Sequence, residues 1–270
     1  MLKDITLGQY YPGKSVVHRI DPRMKIILTT AYVVMLFIIN HPIGLAVGLL
    51  VLAVGYGAAK IPLRLMFKSL KPVLPIILFT AILNIFFIDG TVLLRWWIFK
   101  ITQEGLLLAA VMAARILCLI AGTSLLTYTT SPIVLTDGLE QLMAPLKKIK
   151  LPVHELAMMM TIALRFIPTL IEETDKIMSA QKARGADMET GGLIKRAKAL
   201  IPILIPLFVS AFRRADELAL AMECRCYRGG EGRTRMKQLR FTAVDAYSLL
   251  FFVLCFAVII VLNLMLPAIV

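Results

Sequence analysis

The feature that most constrains this chain is the stretch "AYSLLFFVLCFAVIIVLNLMLPAIV", residues 246–270, which contains no charged side chain. A run of about 20 apolar residues is what the hydrocarbon core of a bilayer requires of a helix. Four more apolar runs come earlier, at about 24–39, 44–59, 72–88 and 104–126. The composition agrees: 59% of the 270 residues are hydrophobic and the mean hydropathy is +0.82. In lipid every backbone polar group must be satisfied internally, which leaves helices or a closed barrel. The apolar runs are continuous rather than alternating. The chain therefore reads as an all-α integral membrane protein with about five transmembrane helices.

The net charge is +13 although only 17% of residues are charged. All but three of the 30 Lys and Arg residues lie in segments 1–25, 60–71 and 127–240. Basic residues favour the cytoplasmic side. The bias places the N-terminus and residues 127–240 in the cytoplasm, in a multi-pass protein of the cell membrane. The expected division is a membrane domain at 1–126 with four transmembrane helices, a cytoplasmic domain of long amphipathic helices at 127–240, and a last transmembrane helix at 241–270. The first twenty residues carry Lys3, Asp4, Lys14, His18 and Arg19 without an apolar core, so no cleavable signal peptide is expected. Cys118, Cys224, Cys226 and Cys255 do not suggest an extracellular disulfide framework.

Local chemistry marks the boundaries. In "DPRMK", Asp21 caps a helix and Pro22 suits its first turn, where a missing N–H costs nothing. "NHPIG" is a turn, and "KIPLRLMFKSLKP" reads as a basic loop with Lys60, Arg64, Lys68 and Lys71. Trp96 and Trp97 suit an interfacial aromatic belt. Between 127 and 240, three long helices are expected at about 131–148, 153–184 and 192–225. The first starts at Ser131 and Pro132. The second and third are apolar in their first half and amphipathic in their second. The stripes run through Ile167, Leu170, Ile171, Thr174 and Met178, and through Ala215, Leu218, Ala219 and Met222. Neither apolar half alone is long enough to cross a bilayer. Such a helix suits a buried root and a tip offered to a partner.

Each of these two helices ends on an arginine between small residues: Ala183-Arg184-Gly185 and Cys224-Arg225-Cys226. A cation at a helix C-terminus complements the macrodipole by about 0.3–1 kcal/mol, and Gly185 suits a helix terminator. Those effects account for either arginine alone. The recurrence of the ending on two similar helices favours a second use, in which each guanidinium enters an acidic groove of a soluble partner and binds carboxylates through its planar fork.

The sequence resembles the transmembrane T component of energy-coupling factor (ECF) transporters, the EcfT/CbiQ family of ABC-type vitamin and metal importers. "GQYYPGKSVVHRIDPRMK", "LLTYTTSPIVLTDGLEQLMAPLKK" and "ALRFIPTLIEETDKIMSAQKARGAD" carry the resemblance, with the two arginine triplets. The second triplet departs from the usual Ala-Arg-Gly form in its cysteines. The resemblance implies a coupling scaffold that binds two ABC-type ATPases through the arginine triplets and holds one membrane-embedded substrate-binding S component. It is closer to the shared-module type, serving vitamin uptake through exchangeable S components, than to the dedicated cobalt or nickel type. It implies no cofactor on this chain, ATP-Mg being used by the partner ATPases.

Other residues bear on this reading. No G-x-x-x-x-G-K-[ST] loop is present to cradle ATP phosphates. No nucleophile, acid–base or metal constellation suggests an enzyme, and no intramembrane carboxylate set suggests a secondary transporter or channel. No nucleic-acid partner is expected. Met158, Met159 and Met160, with Met143, suit either ordinary packing or a soft surface for exchangeable S components. Arg115, inside a span, is expected to bond Asn84 or the carbonyls of a broken helix. Asp216 and Glu217 are expected to pair with Arg213 and Arg214, and Glu172 with Lys176. Cys224 and Cys226 read as small packing residues rather than metal ligands. His154 is expected at a helix start. "RGGEGRTRMKQLR" reads as a connector lying on anionic headgroups.

Overall fold

A computed structural model describes residues 10–88, 91–96, 99–186, 192–230 and 238–265. The helices are α1 (Val16–Arg19), α2 (Pro22–Ile38), α3 (Pro42–Ala59), α4 (Leu63–Leu70), α5 (Leu74–Phe87), α6 (Gln103–Thr129), α7 (Pro132–Leu142), α8 (Val153–Ala183), α9 (Leu193–Cys224) and α10 (Ala243–Met265). Short 3-10 turns lie at Lys71–Val73 and Ala144–Ile149. One antiparallel hairpin, β1 (Val92–Trp96) with β2 (Phe99–Thr102), joins α5 to α6. The molecule is an all-α integral membrane protein, with this one hairpin among the described residues. Trp97 lies outside the described residues, so the expected tryptophan belt is not visible.

Among the described residues, five helical stretches are long and apolar enough to cross a membrane: Pro42–Ala59, Leu63–Phe87 (α4 and α5 joined by the 3-10 turn), Gln103–Thr129, Val153–Ala183 and Ala243–Met265. Four of the five coincide with expected spans, and α8, expected in the cytoplasmic segment, joins them because the helix runs unbroken for 31 residues through Pro168. Its apolar half is therefore not an isolated segment. With 17 residues, α2 is one residue shorter than α3 and reaches about 26 Å, at the short end of membrane-spanning lengths. The expected basic loop at 60–71 is also mostly helix: Lys60 takes a left-handed turn after α3, and α4 begins at Leu63.

The chain divides into two compact units, one of residues 8–138 with 238–270 and the other built on 139–237. In the first, α2, α3, α6 and α10 share a core in which Met35, Leu36, Ile39, Cys118 and Ile259 are fully buried. Close approach is made possible at Gly122, where a Cβ would collide with the Tyr32 ring. Tyrosine hydroxyls close the polar accounts between helices. Tyr32 donates to the Gly48 carbonyl at 3.2 Å, Tyr56 to Ala121 at 2.9 Å and Tyr128 to Leu65 at 3.0 Å.

The start of α2 is capped as its sequence predicts: Asp21 accepts from the Arg23 N–H at 2.9 Å. Asp21 is buried and also pairs with the Arg23 guanidinium at 2.9 Å. Its own N–H donates to Asp245 at 2.8 Å, and Asp245 accepts from the Thr242 N–H and hydroxyl. One carboxylate thus caps α10 and ties it to the start of α2. Burial works to raise the Asp21 pKa. Hydrogen bonds from the Arg23 side chain and backbone and the charges of Arg23 and Lys25 outweigh it, leaving Asp21 below its ordinary value.

The other end of α2 has orphan carbonyls. Asn263 donates to Ile38 at 2.7 Å, and Arg115 donates to Ile39 at 2.6 Å. Arg115 therefore bonds the carbonyl of the α2 C-cap, and neither Asn84 nor a carbonyl at a break inside a helix.

Candidate functional site

The second unit carries α8 and α9. Their contact is polar at its centre. Glu173 of α8 accepts from the Ser210 hydroxyl and from Arg214 at 2.9 Å, and Gln181 donates to the Pro202 carbonyl at 3.3 Å. Arg214 thus pairs across the helices, not with the expected Asp216 or Glu217 on its own helix. The expected stripe Ile167, Leu170, Ile171, Thr174 and Met178 is half-buried throughout. Contacts run in opposite senses, Gln181 lying by Pro202 and Glu173 by Ser210 and Arg214. The two helices therefore cross antiparallel. Arg184 lies beyond one edge of the contact and Arg225 beyond the other. About 35 Å of helix separates Pro202 from Arg225 at 1.5 Å per residue.

The two arginines have the same backbone setting. Each is the C-cap of its helix, with φ −83° at Arg184 and −92° at Arg225. After Arg184, the Gly185 N–H donates to Lys182 at 3.0 Å and the Ala186 N–H to Gln181 at 3.0 Å. After Arg225, the Cys226 N–H donates to Glu223 at 2.8 Å and the Tyr227 N–H to Met222 at 3.1 Å. Both are Schellman motifs, in which a left-handed residue lets two N–H groups return to the last turn. The left-handed residue is Gly185 at φ 85° in one and Cys226 at φ 54° in the other. Ala183, Arg184, Gly185, Cys224, Arg225 and Cys226 are all exposed. The sequence showed the arginines and their small neighbours. The shared cap could be read only at Gly185, because cysteine does not advertise a left-handed turn.

The methionines lie near the root of α8: Met159 and Met160 are 54% and 48% exposed, and Met158 and Met143 are half-buried. His154 stands at the start of α8 as expected, and bonds Glu140 at 3.0 Å, a partner the sequence did not reveal. Gly230 packs against the His154 ring, while most of the basic connector, 231–237, lies outside the described residues. Cys224 and Cys226 are free and exposed. No group of three or more His, Cys, Asp or Glu residues among the described residues could hold a metal ion.

Comparison with known proteins places this arrangement. The model of the family described as Cobalt transport protein (CbiQ) matches residues 13–236. The chain is 59% identical over 245 residues to the Energy-coupling factor transporter transmembrane protein EcfT of Ruminiclostridium cellulolyticum, covering 91% of this chain and 92% of that protein. It is 54% identical to the protein of that name from Acidaminococcus fermentans, over 99% of this chain and 100% of the relative. Against that of Bacillus subtilis the identity is 49%, over 91% and 93%. The chain therefore belongs to the family of transmembrane components of energy-coupling factor transporters.

Proposed function

We propose that this chain is the scaffold and energy-coupling subunit of an ECF-type importer, joining two cytoplasmic ABC-type ATPases to one membrane-embedded S component. The observation that carries the reading is the pair of identically capped, exposed arginines, Arg184 and Arg225, lying beyond opposite edges of the α8–α9 contact. Two separate tips suit two separate sockets. Small flanking residues allow a partner's surface to close on each guanidinium, and the planar fork suits paired carboxylates. ATP-Mg is then bound and hydrolysed by the partners, and this chain is not itself a catalyst. The N-terminus and the two tips that carry Arg184 and Arg225 face the cytoplasm in this reading. Met158, Met159 and Met160 offer the S component an adaptable surface. The relatives are named as components of energy-coupling factor transporters, and the shared-module type is the reading taken over a dedicated cobalt or nickel importer. A stand-alone secondary transporter would leave the duplicated tips without a use.

The test is affinity purification of the membrane complex with variants at the tips. Arg184→Ala and Arg225→Ala are each expected to weaken ATPase attachment by about 2–5 kcal/mol if the arginine is buried and paired. Arg→Lys should rescue poorly, because an ammonium cannot reproduce the fork. Full ATPase recovery and ATP-driven uptake by the double alanine variant would refute the assignment.

A further inference from the structure

A cavity of about 410 Å³ lies among α1, α2, α3, α6 and α10, within the unit of residues 8–138 and 238–270. Its volume falls within the roughly 300–1,000 Å³ typical of small-molecule pockets. Its walls are almost wholly apolar, with Ile20, Leu28, Leu52, Leu125 and Phe252 among them. Six polar side chains line it, and four are already committed. Lys25 donates to the Thr129 carbonyl at 2.9 Å, the Thr130 hydroxyl at 3.2 Å and the His18 carbonyl at 3.3 Å. Tyr32 donates to Gly48, Thr129 to Leu125 and Ser248 to Asp245. A polar ligand would find few donors here, and buried water needs two to four partners. Close-packed interiors do not leave so large an apolar space unfilled without cost. The occupant that fits is hydrocarbon.

The cavity also has a way in. Val16, Val54, Tyr247 and Phe251 line it and remain 57%, 46%, 73% and 39% exposed. They mark a mouth between α3 and α10, two helices long and apolar enough to cross a membrane. The mouth therefore opens sideways toward lipid. The cations Arg19, Lys60 and Arg240 are exposed and lie within four residues of the lining residues Ile20, Ala58 and Val244. The nearest carboxylates in sequence, Asp21 and Asp245, are buried, Asp21 on Arg23 and Asp245 on Thr242, so neither is exposed beside these cations. We propose that this cavity is an anionic-phospholipid site: one acyl chain enters between α3 and α10, and its headgroup phosphate meets Arg19, Lys60 and Arg240. The site is separate from the arginine tips and requires nothing of the ATPases.

The experiment uses the full chain in phosphatidylcholine nanodiscs, with trace phosphatidylglycerol or phosphatidylcholine carrying a photoactivatable acyl chain, followed by peptide mapping. Phosphatidylglycerol is expected to label segments 51–58 and 247–252, exceeding phosphatidylcholine by about five-fold for each cation engaged. Ala58→Phe, which fills the cavity, should abolish that label while leaving the label on α5 unchanged. Arg19→Gln, Lys60→Gln and Arg240→Gln together should erase the preference for phosphatidylglycerol and keep the acyl-chain label. Should Ala58→Phe fail to fold, Val54→Trp at the mouth gives the same test, and the wild-type map decides independently. Label spread evenly over α5 and α10, equal labelling by both lipids, or undiminished label in a folded cavity-filling variant would overturn the proposal.

Discussion

At Cys226 the backbone adopts φ 54°, a conformation in which an L side chain is crowded by its own carbonyl. The equivalent position after Arg184 is glycine, with open space where a Cβ would sit. The second tip therefore carries a strain that the first avoids. Cys226→Gly is expected to raise local stability at the end of α9 by about 1 kcal/mol, read as slower amide hydrogen exchange across residues 218–227. Gly185→Ala should cost the α8 tip a similar amount. Asp21 gives a prediction of different sign. Its folded pKa lies below the ordinary value, so its contribution to stability is complete above the unfolded pKa of about 3.9 and is lost as pH falls through the folded pKa. The unfolding midpoint in detergent should fall in that acid range, and Asp21→Asn should remove this component of the fall. Legibility at this scale followed chain distance. Asp21 as a cap could be read from its neighbours. The Arg214–Glu173 pair, 41 residues apart, could not, because any of several acids satisfied the spacing.

Among the elements, α8 and α9 combine length with a polar crossing. Both run unbroken past internal prolines, Pro168 in α8 and Pro202 and Pro206 in α9. Each proline removes a backbone hydrogen bond, and packing along the helices must offset that loss. The crossing at Glu173, Ser210 and Arg214 is a contact that can be remade as two helices slide. If their relative motion carries the coupling, a short thiol cross-link between Glu173→Cys and Ser210→Cys should abolish ATP-driven uptake and leave the ATPases bound. The background for that measurement replaces Cys224 and Cys226 with alanine. Undiminished uptake in the linked protein would exclude such motion. α4 shows what periodicity alone conceals. Its eight residues are bounded by prolines and carry Arg64 and Lys68, so the segment resembles a loop. It folds as a helix because Leu70 is buried and Leu65 and Met66 pack against the core around Tyr128.

For the molecule as a whole, the net charge of +13, from 30 basic and 17 acidic residues, makes association with acidic partners a question of rate. Raising salt from about 0.05 to about 0.5 M is expected to slow ATPase capture by about tenfold or more, with a smaller effect on dissociation. Stopped-flow mixing of the membrane component with labelled ATPases measures both. By itself the sequence determined the membrane class and most of the spanning helices. Continuous apolar runs have few alternatives in a bilayer, and capping residues act within one turn. It also displayed the two arginine triplets. Only the tertiary structure decided that α8 has spanning length, that the two tips share one cap and lie beyond opposite edges of a crossing, and that four helices with α1 line an apolar cavity. Those features depend on which distant side chains meet. Apolar patterning specifies that a face is buried and leaves open what it is buried against.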